Sequence, residues 1–335
     1  MRLGLIGLGR IGSFHAETLT ALPQVSSLVV ADAAPGVASS LAARLGAEAA
    51  DTPEALFTAG LDGVIIAAAT DAHPELLLAA AKAGLPTFCE KPLAGRITDG
   101  LDVARRLSEA GVPVQVGYPR RYDAAFTAAR DAVASGELGW VHTVRSTTHD
   151  PTPPPRDYLA RSGGIFRDCA VHDFDAVRWV TGREVVSVYS TGSARGDAMF
   201  AELGDVASAA TILTLDDDAR ALVSNARYNA RGHDVRLEVH GSADSVAAGL
   251  EDSLPLRSVE PGATFPSGTP HVFFMDRFAD AFRSELTAFT ELVAGQRTSP
   301  CTVEDAMETG WVAEAATLSL AQNRPVALDE IRERL

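Results

Sequence analysis

The 335-residue sequence is poor in cysteine, short of positive charge and without a long apolar run, and each shortage removes a class of function. Its three cysteines, Cys89, Cys169 and Cys301, stand far apart and match no metal-ligand spacing. An odd count with no secretion signal favours free thiols over a disulfide framework, so the chain is expected to be cytoplasmic and to hold no metal. Lysine and arginine number 29 against 44 aspartates and glutamates, a net charge of −15. That surplus argues against sequence-independent nucleic-acid binding, which relies on cations neutralising phosphates. It argues equally against docking on anionic lipid. No apolar stretch approaches the roughly 20 residues of a membrane span. Met1-Arg2-Leu3-Gly4-Leu5-Ile6 leads straight into a glycine turn with no small-residue cleavage site, and reads as a first strand rather than an export signal. Repeats and low-complexity segments are absent. What remains is an acidic globular protein of two domains, at roughly 100–200 residues each, expected to act on a small molecule.

The first third alternates between two periodicities. Leu3–Ile6, Leu28–Ala31, Val64–Ala68, Thr87–Cys89 and Val112–Val116 are short apolar runs, the pattern of strands buried on both faces. Between them lie helical stretches with legible ends. Thr52-Pro53-Glu54 is a cap followed by proline and an acid, while Val37–Leu45 and Pro74–Ala83 run into Gly46 and Gly84. Such alternation indicates parallel βαβ units wound into a doubly wound sheet, a Rossmann-type α/β domain over residues 1–118. From 119 to 335 the pattern changes. A helix near Ala124–Ser135 precedes a strand at Trp140–Thr147, the extended proline run 151–155, and a helix at Phe166–Val180. Strands at Val185–Thr191, Ala207–Leu215, Ala219–Ala226 and Arg236–His240 follow, with Asp216-Asp217-Asp218 as a hairpin turn. They predict an α+β domain built on a large, mostly antiparallel open sheet with helices on one face. The helical tail, Met275–Ala294 and Thr302–Gln322, is free to pack back on the first domain.

Gly7-Leu8-Gly9-Arg10-Ile11-Gly12 matches G-x-G-x-x-G, follows a predicted strand, opens a predicted helix and stands 20 residues before Asp32. That is the context of a dinucleotide fingerprint. The glycines let the backbone approach a pyrophosphate at the positive helix end. Asp32 can accept from both ribose hydroxyls and would repel a 2′-phosphate, and Ala33-Ala34 offer no compensating cation, so NAD is favoured over NADP.

Two further segments carry chemistry. Cys89-Glu90-Lys91-Pro92 ends a parallel strand, where ligands of open α/β sheets bind. Ser162–Asp175 places Asp168 and His172 four apart, stacked on one face if the segment is helical, with Asp175 and Trp179 continuing that face. Oxidising an alcohol requires a base for the hydroxyl proton, and histidine suits that role near neutrality. Asp168 would orient the imidazole of His172, and Lys91 would hydrogen-bond the reacting oxygen. A metal hydrolase using His149, Asp168, His172 and Asp173 is a poorer reading, because residues 172 and 173 point to different helix faces.

The glycine fingerprint, Ala69-Thr70-Asp71-Ala72-His73, Glu90-Lys91-Pro92, Arg120-Arg121-Tyr122-Asp123 and Asp168 through Asp175 with Trp179 and Gly182 together resemble the Gfo/Idh/MocA oxidoreductases, and among them the inositol 2-dehydrogenase branch. The resemblance implies that Lys91, Asp168 and His172 form the catalytic set. It implies that Thr70, His73, Glu90 and Lys91 approach the ribose and nicotinamide, and that Arg120 and Tyr228 face the substrate. It further implies a cyclic polyol or sugar as substrate and a homo-oligomer, a tetramer or dimer, built on the open sheet face. Two positions depart from the branch: Pro119 stands where methionine is common and His233 where many relatives carry tyrosine, both on the substrate side. Two other functions fit the same family: an enzyme that uses NAD internally to oxidise, eliminate and re-reduce a glycoside, and a non-catalytic NAD-binding regulator.

Overall fold

The computed structural model describes residues 1–334, which divide into two compact units. Unit 1 comprises Met1–Pro119 with Asp280–Met307. Its strands are β1 (Arg2–Ile6), β2 (Ser27–Ala31), β3 (Glu48–Ala49), β4 (Gly63–Ile66), β5 (Thr87–Glu90) and β6 (Val114–Gly117). They pair in the order β3-β2-β1-β4-β5-β6, every pair parallel. Leu3, Leu5, Val30, Ile65 and Phe88 are fully buried in this doubly wound sheet, as strands covered on both faces require. The chain order reverses at β1, which lies between β2 and β4, and this switch point is where such sheets bind ligands.

Local chemistry sets the ends of these elements. Thr52 Oγ1 accepts from the Ala55 N–H to open the short helix Pro53–Leu56. The helix Val37–Leu45 stops at Gly46, whose φ of 68° suits glycine. β4 is shorter than the predicted 64–68 run, because Ala67 and Ala68 turn away to meet the glycine loop. β6 begins at Val114 rather than Val112, since Pro113 has no N–H to donate. The helix Ala279–Val293 groups with unit 1 because Leu286, Phe289 and Leu292 join Leu3, Leu5 and Leu19 in one core. Gln115 Nε2 donates to the Glu285 carbonyl there at 3.0 Å.

Unit 2 comprises Arg120–Ala279 with the residues from Glu308 onward. Its strands are β7 (Val141–His149), β8 (Val185–Ser193), β9 (Ser208–Leu215), β10 (Arg220–Ala226), β11 (Asp234–Gly241), β12 (Ser245–Ala248) and β13 (Val326–Ala327). The order is β12-β11-β7-β10-β9-β8-β13, and β7 with β10 is the parallel pair in an otherwise antiparallel sheet. Burial alternates along β9 and β10, so one face is packed and the other open. On the open face Ile212 and Leu222 sit directly opposite each other, 43% and 40% exposed.

The predicted helix over 166–180 is two elements. A wider π-helical turn, Phe166–Ala170, leads into the α-helix Val171–Thr181, which Gly182 terminates. The expected single face is therefore broken: Asp175 is buried, whereas His172 and Trp179 are partly exposed. No helix among the described residues is long and apolar enough to cross a membrane.

Candidate functional site

In unit 1 the glycine loop is built for close approach. Gly7 has φ 89°, and a Cβ there would lie 2.4 Å from the Ala68 backbone. A Cβ on Gly12 would lie 1.8 Å from the Gly7 carbonyl oxygen, so the turn closes only without side chains. Gly9 differs: a Cβ there would meet nothing within 4 Å, so its bareness keeps a space open. Gly9 is also the N-cap of the helix Arg10–Ala21, which has neither a side-chain cap nor an acid in its first turn. Its positive end is left uncompensated, with N–H groups available to an anion. Asp32, at the end of β2, accepts from the Leu8 N–H at 2.7 Å and the Ala34 N–H at 2.8 Å, holding the loop against the second strand. Each carboxylate oxygen keeps a further lone pair for a ribose hydroxyl. Arg10 is exposed and Ile11 partly buried at the start of the helix. A pyrophosphate with an adjacent ribose fits these residues.

The ends of β4 and β5 hold the other predicted residues of this unit. Thr70 opens a 3-10 turn and is partly exposed, as are Glu90 and Lys91. His73, expected near the ribose and nicotinamide, lies deeper than these. It is 1% exposed, with Nδ1 at 2.7 Å from the Pro92 carbonyl and Nε2 at 3.1 Å from that of Ala68. Burial pushes its pKa down against two carbonyls that favour the cation. With both nitrogens facing main chain, His73 fastens the turn after β4 to the turn after β5. His15, which no sequence motif marks, is fully buried with Nε2 at 2.6 Å from Glu90 Oε1. The available signal was its place in the buried helical stripe Gly12-His15-Ala16-Leu19.

In unit 2 the segment around Asp168 and His172 is tied down by buried charge pairs. Asp168 Oδ1 accepts from the Tyr158 hydroxyl at 2.7 Å, and Oδ2 accepts from Arg227 Nη2 at 2.6 Å. Arg227 also donates from Nη1 to Asp150 at 2.9 Å. Asp173 is fully buried and accepts from Arg120, Ser146, Thr148 and Asn225. Asp175 takes Arg121 at 2.6 Å. Arg120, expected at the substrate, is thus 4% exposed and committed to Asp173 and Thr148, because a buried guanidinium needs anionic or polar partners. Tyr228 follows β10, 43% exposed, and its hydroxyl accepts from the Asp197 N–H. His233 lies 3.5 Å from Asp150 and is buried.

Other chemistries find little support in this arrangement. Burial pushes the Cys89 and Cys169 thiols well up, away from the thiolate a nucleophile needs. His149 sits 3.0 Å from Ser224 Oγ, and burial lowers its pKa. Among the described residues no group of three or more His, Cys, Asp or Glu side chains could hold a metal ion.

Residues 1–118 match an oxidoreductase family with an NAD-binding Rossmann fold, and residues 126–247 match the Gfo/Idh/MocA C-terminal domain. The chain belongs to the Gfo/Idh/MocA family. One relative in this family is inositol 2-dehydrogenase of Rhizobium meliloti (strain 1021), 36% identical over 333 residues, 98% of this chain and 99% of that protein. The structure of myo-inositol dehydrogenase from Corynebacterium glutamicum ATCC 13032 is similar with a TM-score of 0.90 at 32% identity, covering 98% of each chain. That of scyllo-inositol dehydrogenase from Lactobacillus casei, with bound cofactor NAD(H) and scyllo-inositol, gives 0.87 at 25% identity, covering 98% of this chain and 99% of that one.

The closeness of Gly12 to Gly7 generates a test of this Gfo/Idh/MocA cofactor loop. Gly12→Ala must push the loop apart, and NAD affinity by calorimetry should fall at least about ten-fold, equivalent to ~1.4 kcal/mol. Unchanged affinity would remove the loop from the binding site.

Proposed function

We propose that this protein is an NAD-dependent dehydrogenase that oxidises one secondary hydroxyl of a cyclic polyol, inositol first among candidates, to the ketone. The observation that carries the reading is the presence of Lys91, Asp168 and His172 in a chain similar to inositol dehydrogenases over nearly its whole length. The bound nicotinamide supplies the hydride acceptor. Lys91 Nζ donates a hydrogen bond to the reacting oxygen, and an imidazole nitrogen of His172 takes its proton. Asp168 stabilises the imidazolium that results. Gly7, Gly9, Arg10, Ile11 and Gly12 receive the pyrophosphate, Asp32 the adenosine ribose, and Thr70 and Glu90 the nicotinamide side.

Charge balance supports a neutral substrate over a sugar acid. Arg120, Arg121 and Arg227, three buried cations of unit 2, are bound by four carboxylates: Asp173, Asp175, Asp150 and Asp168. A carboxylate-bearing ligand would meet anions already in place. Tyr228 is the exposed aromatic group retained for the substrate side, while Arg120 acts through Asp173. Three buried free thiols support a reducing, cytoplasmic setting.

We also infer a homo-oligomer, with the open face of the unit 2 sheet as its interface. Ile212, Leu222 and Val186 are apolar side chains left exposed on or beside that face.

Four measurements test these readings. With myo- or scyllo-inositol and NAD, reduced nicotinamide should accumulate. His172→Ala or Lys91→Ala should lower kcat by several orders of magnitude with NAD affinity within a few-fold. Tight NAD binding without turnover would favour a regulator, and turnover of glycosides without net reduced nicotinamide would favour the internal redox cycle. Asp32→Ala should weaken NAD and narrow its advantage over NADP; an unchanged cofactor ratio would refute the ribose role. Sedimentation velocity of the full chain should give a dimer or tetramer, and a monomer boundary would reject the interface.

A further inference from the structure

Arg227 stands directly after β10, 2% exposed, behind a carboxylate that the proposed reaction uses. Its two terminal nitrogens are divided, Nη2 to Asp168 at 2.6 Å and Nη1 to Asp150 at 2.9 Å. The side chain of Asp168 is 10% exposed and that of Arg227 3%, so the anion lies outward and the cation inward. The second oxygen of Asp168 is held by Tyr158 from the helix Arg156–Ser162. One carboxylate is thus gripped at both oxygens, from two elements, while its own backbone lies in the π-helical turn. Such turns concentrate at functional positions. Arg227 Nε, buried, has no hydrogen-bond partner, a cost that packing alone does not account for.

We propose that Arg227 is a positioning residue for the dehydrogenase reaction: its planar fork fixes the orientation of Asp168 and keeps that carboxylate ionised, with Asp150 as the counter-anchor of the guanidinium. The proposal rests on the reading that Asp168 belongs to the catalytic set. The fork matters because it reaches two carboxylates at once in fixed geometry, which a point-charge ammonium does not. Without the cation, Asp150 and Asp168 become like charges close together, and one of them is driven toward the protonated form. Charged and titratable groups near Asp168 include Tyr158 and Arg227 in contact with it, Asp150 on the far arm of Arg227, the adjacent Cys169 with Asp173 beside it, and His172 one turn on. His233 adjoins this set at Asp150, 3.5 Å away.

The signs follow from charge. Asp168 and His172 are the titratable pair of the proposed catalytic set. Removing a cation beside the pair raises the pH at which it loses its proton, and removing an anion lowers it. The test uses the full chain with NAD and inositol. Arg227→Gln should lower kcat about 100-fold or more, with KM within three-fold, and move the acid limb of kcat/KM up by about one pH unit. Arg227→Lys should leave the acid limb near its wild-type position yet still lower kcat about ten-fold, separating charge from geometry. Asp150→Asn should move the acid limb the opposite way, downward. If the Gln variant fails to fold, the Lys and Asn variants decide the matter by the same two readouts. Full kcat and unshifted limbs in these variants, with Asp168→Asn inactive, would overturn the positioning role alone. Full activity in Asp168→Asn, or no turnover of any polyol by the wild type, would overturn the catalytic reading and this proposal with it.

Discussion

Buried pairing between guanidinium and carboxylate groups is the constraint on which unit 2 depends. The helix Val171–Thr181 presents Asp173 and Asp175 to the interior, where unpaired anions are intolerable. Arg120 and Arg121 answer them, and Arg227 answers Asp168 in the turn before. Desolvation makes such pairs poor sources of net stability, since apolar residues of equal volume often serve as well. Losing one partner is a different matter, costing about 3–5 kcal/mol because the other charge stays buried. The pairs therefore act as a filter on geometry: a helix rotated by a third of a turn would leave two or three charges stranded. Directional restraint of this kind would suit the proposed catalytic role of the segment, since reactive groups must be held to fractions of an ångström.

How much of this was legible in the chain depends on sequence distance. The glycine fingerprint, Asp32 and the parallel strands were readable because their signals are local: a turn needs glycine within six residues, and a buried strand is a short apolar run. The helical character of the stretch from Asp168 to His172 was readable for the same reason, although its continuity as one face was not. The partners of those residues were not. Arg120 lies 53 residues from Asp173, Arg121 lies 54 from Asp175, and Arg227 lies 59 from Asp168. No periodicity spans such gaps, so the sequence shows neither the partner of Arg120 nor that of Arg227. The π-helical turn was equally hidden, since it shares its residue types with an α-helix. The two-residue strands β3 and β13 are too short to leave a pattern and exist because a neighbouring strand offers an edge.

His73 and His15 show a third kind of gap. Both are histidines in functional-looking segments of unit 1, and both are interior. Each ring is close to flanking polar atoms, two carbonyls for His73 and the Glu90 carboxylate for His15. A histidine beside a binding loop has two physical uses that sequence cannot separate: touching a ligand, or tying together the turns that do. Depth decides between them, and depth is a tertiary property.

Asp32 illustrates how one side chain carries two demands without conflict. Its oxygens accept the Leu8 and Ala34 amides, which closes the loop that Gly7 and Gly12 make possible. An ionised carboxylate has about four acceptor positions, so two remain for ribose hydroxyls. The group that would distinguish the two ribose forms is therefore also the one that shapes the pyrophosphate turn. Proposed selectivity and observed architecture meet at this position: a neutral amide could keep one backbone contact, but it would lack the charge expected to repel a 2′-phosphate. The same economy recurs at Arg227, where a single planar cation bridges two carboxylates, Asp150 and Asp168, that would otherwise be neighbouring like charges.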